Sequence, residues 1–211
     1  MRTRRFAAAI AALAALLACS MTPAQAGGVG WNDPAGDATA MSFEGVRLPP
    51  TPRPSDPQLD IRAVSFAVEG DSIVASASME AGGFAVASGG SGWRFFFSHK
   101  NDRYFFQAAA STTEFDPVHL STPRFYRVKY HVEGAEQTWD IEELRCDCKT
   151  TVNVKAGKVR FVTKTAAVAR TLKVPVGSIE LKELELVSNR RTGYCMMADV
   201  APAPAGMVFR A

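Results

Sequence analysis

The sequence predicts an all-β protein, an antiparallel two-sheet β-sandwich of jelly-roll-like form with little helix, and three observations carry that expectation. Apolar and polar residues alternate with a period of two along several segments after Leu59, the pattern of strands with one buried face. Short Gly-, Asp- and Asn-bearing stretches separate those segments at hairpin spacing. The densest aromatic stretch, Gly92 to Gln107 (GWRFFFSHKNDRYFFQ), sets two ring-rich runs on either side of a polar turn. A strand pair carrying Trp93, Phe95, Phe97, Tyr104, Phe105 and Phe106 needs a second apolar layer against it, most simply another sheet.

In chain order, Arg2, Arg4 and Arg5 precede an apolar run from Phe6 to Leu17 and then Ala24-Gln25-Ala26 before Gly27, the three parts of a secretory signal peptide. Residues 1–26 are therefore expected to be removed, residues 27–202 to form a single sandwich domain, and residues 203–211, rich in Ala and Pro, to form a flexible tail. The apolar run is shorter than the roughly 20 residues that span hydrocarbon, so the mature chain is expected to have no transmembrane segment. Leu16-Leu17-Ala18-Cys19-Ser20 is similar to a bacterial lipobox, which makes a lipid anchor on Cys19 the alternative to free secretion. Both readings place the protein outside the cytoplasm.

Gly27 to Pro57 is too rich in Gly, Pro and Asp for a regular ladder and reads as a terminal strand and loops, with Arg47 to Pro57 an extended connector. Val64, Phe66 and Val68 then share one face, as do Ile73, Ala75, Ala77 and Met79 after a Glu69-Gly70-Asp71-Ser72 turn. Ala81 to Gly92 leads into the aromatic hairpin. Further on, Tyr126, Val128, Tyr130 and Val132 alternate with Arg127, Lys129 and His131, a strand expected to have one wet face. Leu144, Cys146, Cys148, Val152 and Val154 share a parity, so both cysteines are expected to point inward, and Ala156-Gly157 turns the chain into Val159, Phe161 and Thr163. Pro175 marks Leu172 to Pro175 as a strand end or edge. Ile179 to Ser188 fits helix or strand, and its neighbours favour strand.

Charge excludes little but argues against one class. The formal net charge is only +3 and includes the leader arginines, so no strong field for nucleic acid is expected. Gly89-Gly90-Ser91-Gly92 is not a nucleophile elbow, and there is no zincin helix or phosphate loop, so a non-catalytic role is favoured over an enzyme. His99, His119 and His131 are isolated and read as surface imidazoles, and Met79 reads as core.

Three groups of residues are candidate sites. Asp33, Asp37, Asp60 and Asp199 offer the hard oxygen ligands that calcium takes, against the plainer reading of turn aspartates bonded to local amides. Cys146, Cys148 and Cys195 remain once the leader is removed, and export favours a disulfide between Cys195 and either Cys146 or Cys148. A bridge between Cys146 and Cys148 is disfavoured, because residues two apart on an extended strand sit near the 7 Å limit for bridging. The alternative for these three thiols is a metal or redox site outside the cytoplasm. Trp31 and Trp139 lie beside polar, turn-rich sequence and are the candidates for stacking on a ligand ring.

Asp33-Pro34-Ala35-Gly36-Asp37, Asp60, Val174-Pro175 and Asp199-Val200-Ala201-Pro202 together resemble bacterial secreted sandwiches similar to DOMON-like domains and family 9 carbohydrate-binding modules. Cys146-Asp147-Cys148 has no counterpart in that pattern. The resemblance implies a jelly-roll-like sandwich, with calcium often near the domain start, whose members bind sugars or haem or have no known ligand; a glycan or cell-surface component is the leading expectation on that ground alone.

Overall fold

The computed structural model of the chain describes residues 27–34, 39–42, 59–79, 90–113, 116–133, 136–153, 156–192 and 195–211. For 39–42, 111–113, 116–119, 132, 133, 136, 137, 139, 190–192 and 195–197 only the backbone is described. The expected signal peptide with Cys19, the acidic-loop residue Asp37 and the proline-dense connector lie outside the described residues.

Two antiparallel sheets form, as the sequence predicts. The first has the order β1 (Val29–Asn32), β3 (Ile61–Glu69), β4 (Ser72–Met79), β11 (Lys158–Lys164) and β10 (Cys148–Asn153), numbered along the chain. The second runs β2 (Thr39–Ser42), β13 (Cys195–Pro202), β12 (Glu180–Thr192), β5 (Ser91–His99), β6 (Asp102–Thr113), β8 (Arg124–Glu133) and β9 (Glu136–Leu144). Short strands β7 (Asp116–Leu120) and β14 (Phe209–Arg210) pair with β6 and β12.

Turn chemistry fixes the hairpins. Gly70 joins β3 to β4 at φ 60° and Gly157 joins β10 to β11 at φ 60°, the left-handed conformation that glycine adopts without steric cost. The aromatic hairpin β5–β6 turns at Lys100-Asn101 with Lys100 itself at φ 55°. Its Trp93, Phe95, Phe97 and Phe106 are fully buried. Phe106 stacks on Phe161 of the opposite sheet at 4.6 Å between centroids, and Phe95 meets Phe66 edge-on at 6.2 Å. These cross-sheet pairs are the apolar layer that the aromatic run requires.

Two expectations are corrected. The stretch Thr165–Leu172 is a helix, α1, whose Thr165, Val168, Ala169 and Leu172 are buried at helical spacing. Leu172 to Pro175 is consequently a helix end and not a strand end: Lys173 takes the left-handed position, its amide donates to Arg170 O, and that of Val174 donates to Ala169 O. The chain end is also packed in and is not a loose tail. Phe209 is fully buried against Phe66, and Ile179 and Ala211 exchange both backbone hydrogen bonds, so one large ring outweighs the Ala/Pro composition. On β8 the expected wet face is present, with Arg127, Lys129 and His131 at least partly exposed, while the opposite parity carries buried Val128 and exposed Tyr130 and is not the side of the core residue Phe125. Register sets Phe125 against Phe106 in the core and Tyr126 against Phe105 on the other side, so Val128 and Tyr130 follow Tyr126.

On the core-side parity of β8 and β9, Arg127 and Lys129 both bind Glu142 and His131 meets Asp140, all at least partly exposed, so this hairpin runs past the covering sheet. The hydrogen bond from Arg127, and then that from Lys129, hold the Glu142 carboxyl below its ordinary value.

Candidate functional site

Ring-bearing side chains gather on the outer face of the second sheet. Consecutive aromatics on a strand cannot all face the core, so the parity that buries Phe95, Phe97 and Phe106 turns Phe96 and Phe105 outward. Pairing then lines up Phe96, Phe105, Tyr126 and Glu143 across four strands, with Phe96–Phe105 at 4.9 Å and Phe105–Tyr126 stacked at 4.8 Å. The next row carries Arg94, Gln107 and Arg124, and Arg94 donates from Nε to Gln107 at 3.3 Å. On the other side Arg103 lies over the Phe96 ring at 4.9 Å, in the geometry of a cation–π contact, and pairs with Glu185 at 3.1 Å.

Beyond this stripe the face opens to solvent. Tyr130 is 44% exposed and Ile141 is 56% exposed, large apolar side chains on the same outward parity as Tyr126 and Val128. Arg94 sits half-buried over Phe105 at 5.7 Å, and burial lowers the proton affinity of its guanidinium. Phe105 itself is only 3% exposed, beneath Arg94 and between Phe96 and Tyr126, so the accessible rings of this face are the half-buried Phe96 and Tyr126 and the exposed Tyr130, bordered by donors and acceptors on strands that the ladder holds.

Of the two tryptophan candidates only Trp139 holds a register position on this face, opposite Tyr130 and two residues from Ile141. Trp31 is 7% exposed, stacks on Phe66 and donates from Nε1 to Ala201 O at 3.3 Å, which corrects its reading as a binding residue: the edge strand β1 turns it inward. Trp139 pairs with Tyr130 in register, and its side chain lies outside those described.

A second place gathers three of the four aspartates. Asp60 is 0% and Asp199 3% exposed, and Asp199 Oδ2 accepts the Ile61 amide at 2.7 Å while its Oδ1 accepts that of Val200. Arg62 Nε stands 3.6 Å from Asp60 Oδ2, and the Asp33 amide donates to Arg62 O. Ser188, opposite Asp199 in the ladder, donates to Leu59 O, so strands of both sheets meet at this corner. The donors are hard oxygens, the kind calcium takes. Among the described residues no three His, Cys, Asp or Glu side chains form a metal-binding group, and Asp37 lies outside them.

The cysteines divide differently from expectation. The sulfurs of Cys146 and Cys148 are in close contact, with their Cα atoms 5.2 Å apart. The objection to this pair assumed an extended strand, but the chain bends at residues 145–147 between β9 and β10 and brings the pair within bridging range. Both pack partly against the core, as their parity predicts. Cys195 begins β13, and its side chain lies outside those described.

The histidines also separate. His131 is exposed, whereas His99 is buried and its Nδ1 lies 2.9 Å from Glu180 O. A carbonyl only accepts, so Nδ1 carries the proton. The His119 side chain lies outside those described. Met79 is core, as expected. Among the described residues no helix is long and apolar enough to cross a membrane.

Comparison of the chain with protein families, curated proteins and solved structures returned no match.

Proposed function

We propose that this protein is an exported, non-catalytic binding module whose ligand is a glycan of the cell surface, laid across the outer face of the second sheet. The observation that carries the reading is the row of half-buried Phe96 and Tyr126 on either side of buried Phe105, continued by exposed Tyr130 and Ile141 and bordered by Arg94, Gln107 and Arg124. A pyranose ring has one face of C–H groups and a rim of hydroxyls, so it is matched by flat apolar surface with planar donors and acceptors alongside. Strand-borne side chains lose little freedom on binding, which favours recognition over turnover on this platform. A glycan array identifies the ligand, and Tyr126→Ala with Tyr130→Ala tests the site. Each ring lost is expected to weaken binding by about two- to tenfold, the equivalent of roughly 0.5–1.5 kcal/mol per aromatic contact. Stability is expected to change by no more than about 0.5 kcal/mol for the Tyr130 substitution. Unchanged affinity in the double variant would remove the stripe from recognition.

Calcium belongs to the same proposal, at the corner of Asp33, Asp60 and Asp199. Binding only to the folded state, calcium at a hundredfold excess over its dissociation constant is expected to add about 2.7 kcal/mol, a readily visible rise in melting temperature. Identical melting curves in calcium and in chelator would place the carboxylates in a purely structural role, held by Arg62 and the backbone amides.

A second reading makes the protein a redox or metal handler outside the cytoplasm, and it is favoured by the contact of Cys146 with Cys148. Thiol counting in denaturant with and without reductant distinguishes the two. A bridge that persists in air-oxidised protein and is cut only by strong reductant is expected for a structural pair.

A further inference from the structure

We propose that a cleft beside the N-terminus of α1 binds a small organic anion, with a carboxylate or phosphate-monoester head on an apolar body. This site is separate from the outer sheet face and does not depend on the glycan reading. The cleft encloses about 710 Å3, within the roughly 300–1,000 Å3 of small-molecule sites.

Its charge is uneven in what is already committed. Arg145, from the bend between β9 and β10, and Arg170, from α1, both line the cleft, and neither forms an ion pair among the described residues. Lys164 lines it too, but its ammonium is held by both oxygens of Asp71 at 2.6 and 2.8 Å. Asp71 lines the cleft as well but is taken up by Lys164, which leaves Asp147 as the one further acidic side chain against two guanidinium groups without ion pairs among the described residues lining the cleft. Guanidinium groups bind carboxylate and phosphate in bidentate fashion, which makes them the natural first contact for the head.

The helix end adds donors. The Thr165 amide donates to Asp71 O, yet no side chain caps the helix and its first turn holds no acidic residue, so the positive end of the dipole is left open. Thr165 lines the cleft, is 7% exposed, and its hydroxyl has no hydrogen-bond partner among the described residues. Leaving a buried hydroxyl unpaired costs on the order of 1–3 kcal/mol, and a ligand oxygen reaching the first turn supplies the missing partner. At the mouth Val176 is 64% exposed, and Val68 lies along the wall. An apolar body covers both.

The test uses 15N-labelled full-length mature protein titrated with octanoate, with 1-octanol and with inorganic phosphate. Octanoate is expected to shift the amides of Ala166, Ala167 and Gly177 saturably, octanol at equal concentration to leave them unmoved, and phosphate to compete. Each methylene added to the alkanoate is expected to tighten binding by about fourfold. Arg145→Gln and Arg170→Gln, both at exposed positions, are each expected to weaken octanoate by about tenfold or more with the rest of the spectrum unchanged. Equal shifts with octanol, shifts confined to another part of the molecule, no shift with octanoate, or parental affinity in both arginine variants would overturn the proposal.

Discussion

Replacing Phe106 by alanine is expected to destabilise the fold by about 3–5 kcal/mol, the largest effect of any single substitution considered. Phe106 is fully buried and touches rings of both sheets: Phe97 at 5.0 Å and Phe125 at 4.8 Å in its own, and Phe161 at 4.6 Å across the core. Truncation removes the transfer free energy of the ring and leaves a cavity that three rigid neighbours cannot fill. For a domain of this size the loss corresponds to a fall in melting temperature on the order of 10 °C. Phe96→Ala is the control, since Phe96 lies on the outer face and is only half-buried. Urea denaturation of the two variants measures the difference, and equal losses would contradict the assignment of inner and outer faces.

Asp199→Ala is expected to cost about 3 kcal/mol, through electrostatics and not packing. Its carboxylate accepts the Ile61 amide at 2.7 Å from 138 residues away and the Val200 amide at 2.8 Å, and it is 3% exposed. Alanine leaves the Ile61 donor buried without this acceptor, and hydrogen bonds to charged groups contribute roughly 1.5–3 kcal/mol each. Asp199→Asn keeps one acceptor oxygen and is expected to lose about half as much. A neutral result for alanine in urea denaturation would show that water or another group takes over both amides.

Much of the architecture was legible because strands declare themselves by parity. The period of two places Val64, Phe66, Ile73, Ala75 and Ala77 correctly, and the Gly70 and Gly157 turns sit where the sequence puts them. Parity does not say which side of a strand meets the second sheet. For β8 the apolar side of Tyr126, Val128 and Tyr130 resembles a core face, and only pairing with β6 shows that Phe125 takes the core and that stripe faces outward. The Phe95-Phe96-Phe97 and Tyr104-Phe105-Phe106 runs carried the clue, because alternation forces the middle ring of each onto the outer face.

Helix α1 was readable as well, from Thr165, Val168, Ala169 and Leu172 at spacings of three and four, but eight residues among strands make a weak signal. Composition misled at the chain end, where a single ring, Phe209, anchors nine residues that the Ala/Pro content suggested were loose. Spacing misled at Cys146 and Cys148, since it measures distance along a strand and the chain bends between them. Bringing Asp60 near Asp199 needed the sandwich itself: the ladder sets Ser188 opposite Asp199, Ser188 donates to Leu59 O, and Asp199 accepts the Ile61 amide, on either side of Asp60.

Hydrogen–deuterium exchange on the protein with and without the glycan selected from an array tests the binding reading most directly. The expected result is protection in β5, β6, β8 and β9 around Phe96, Tyr126 and Tyr130, with the glycan recovered at its original length. Protection confined to the loops or to the first sheet, or recovery of a shortened glycan, would contradict a non-catalytic module that binds through this face.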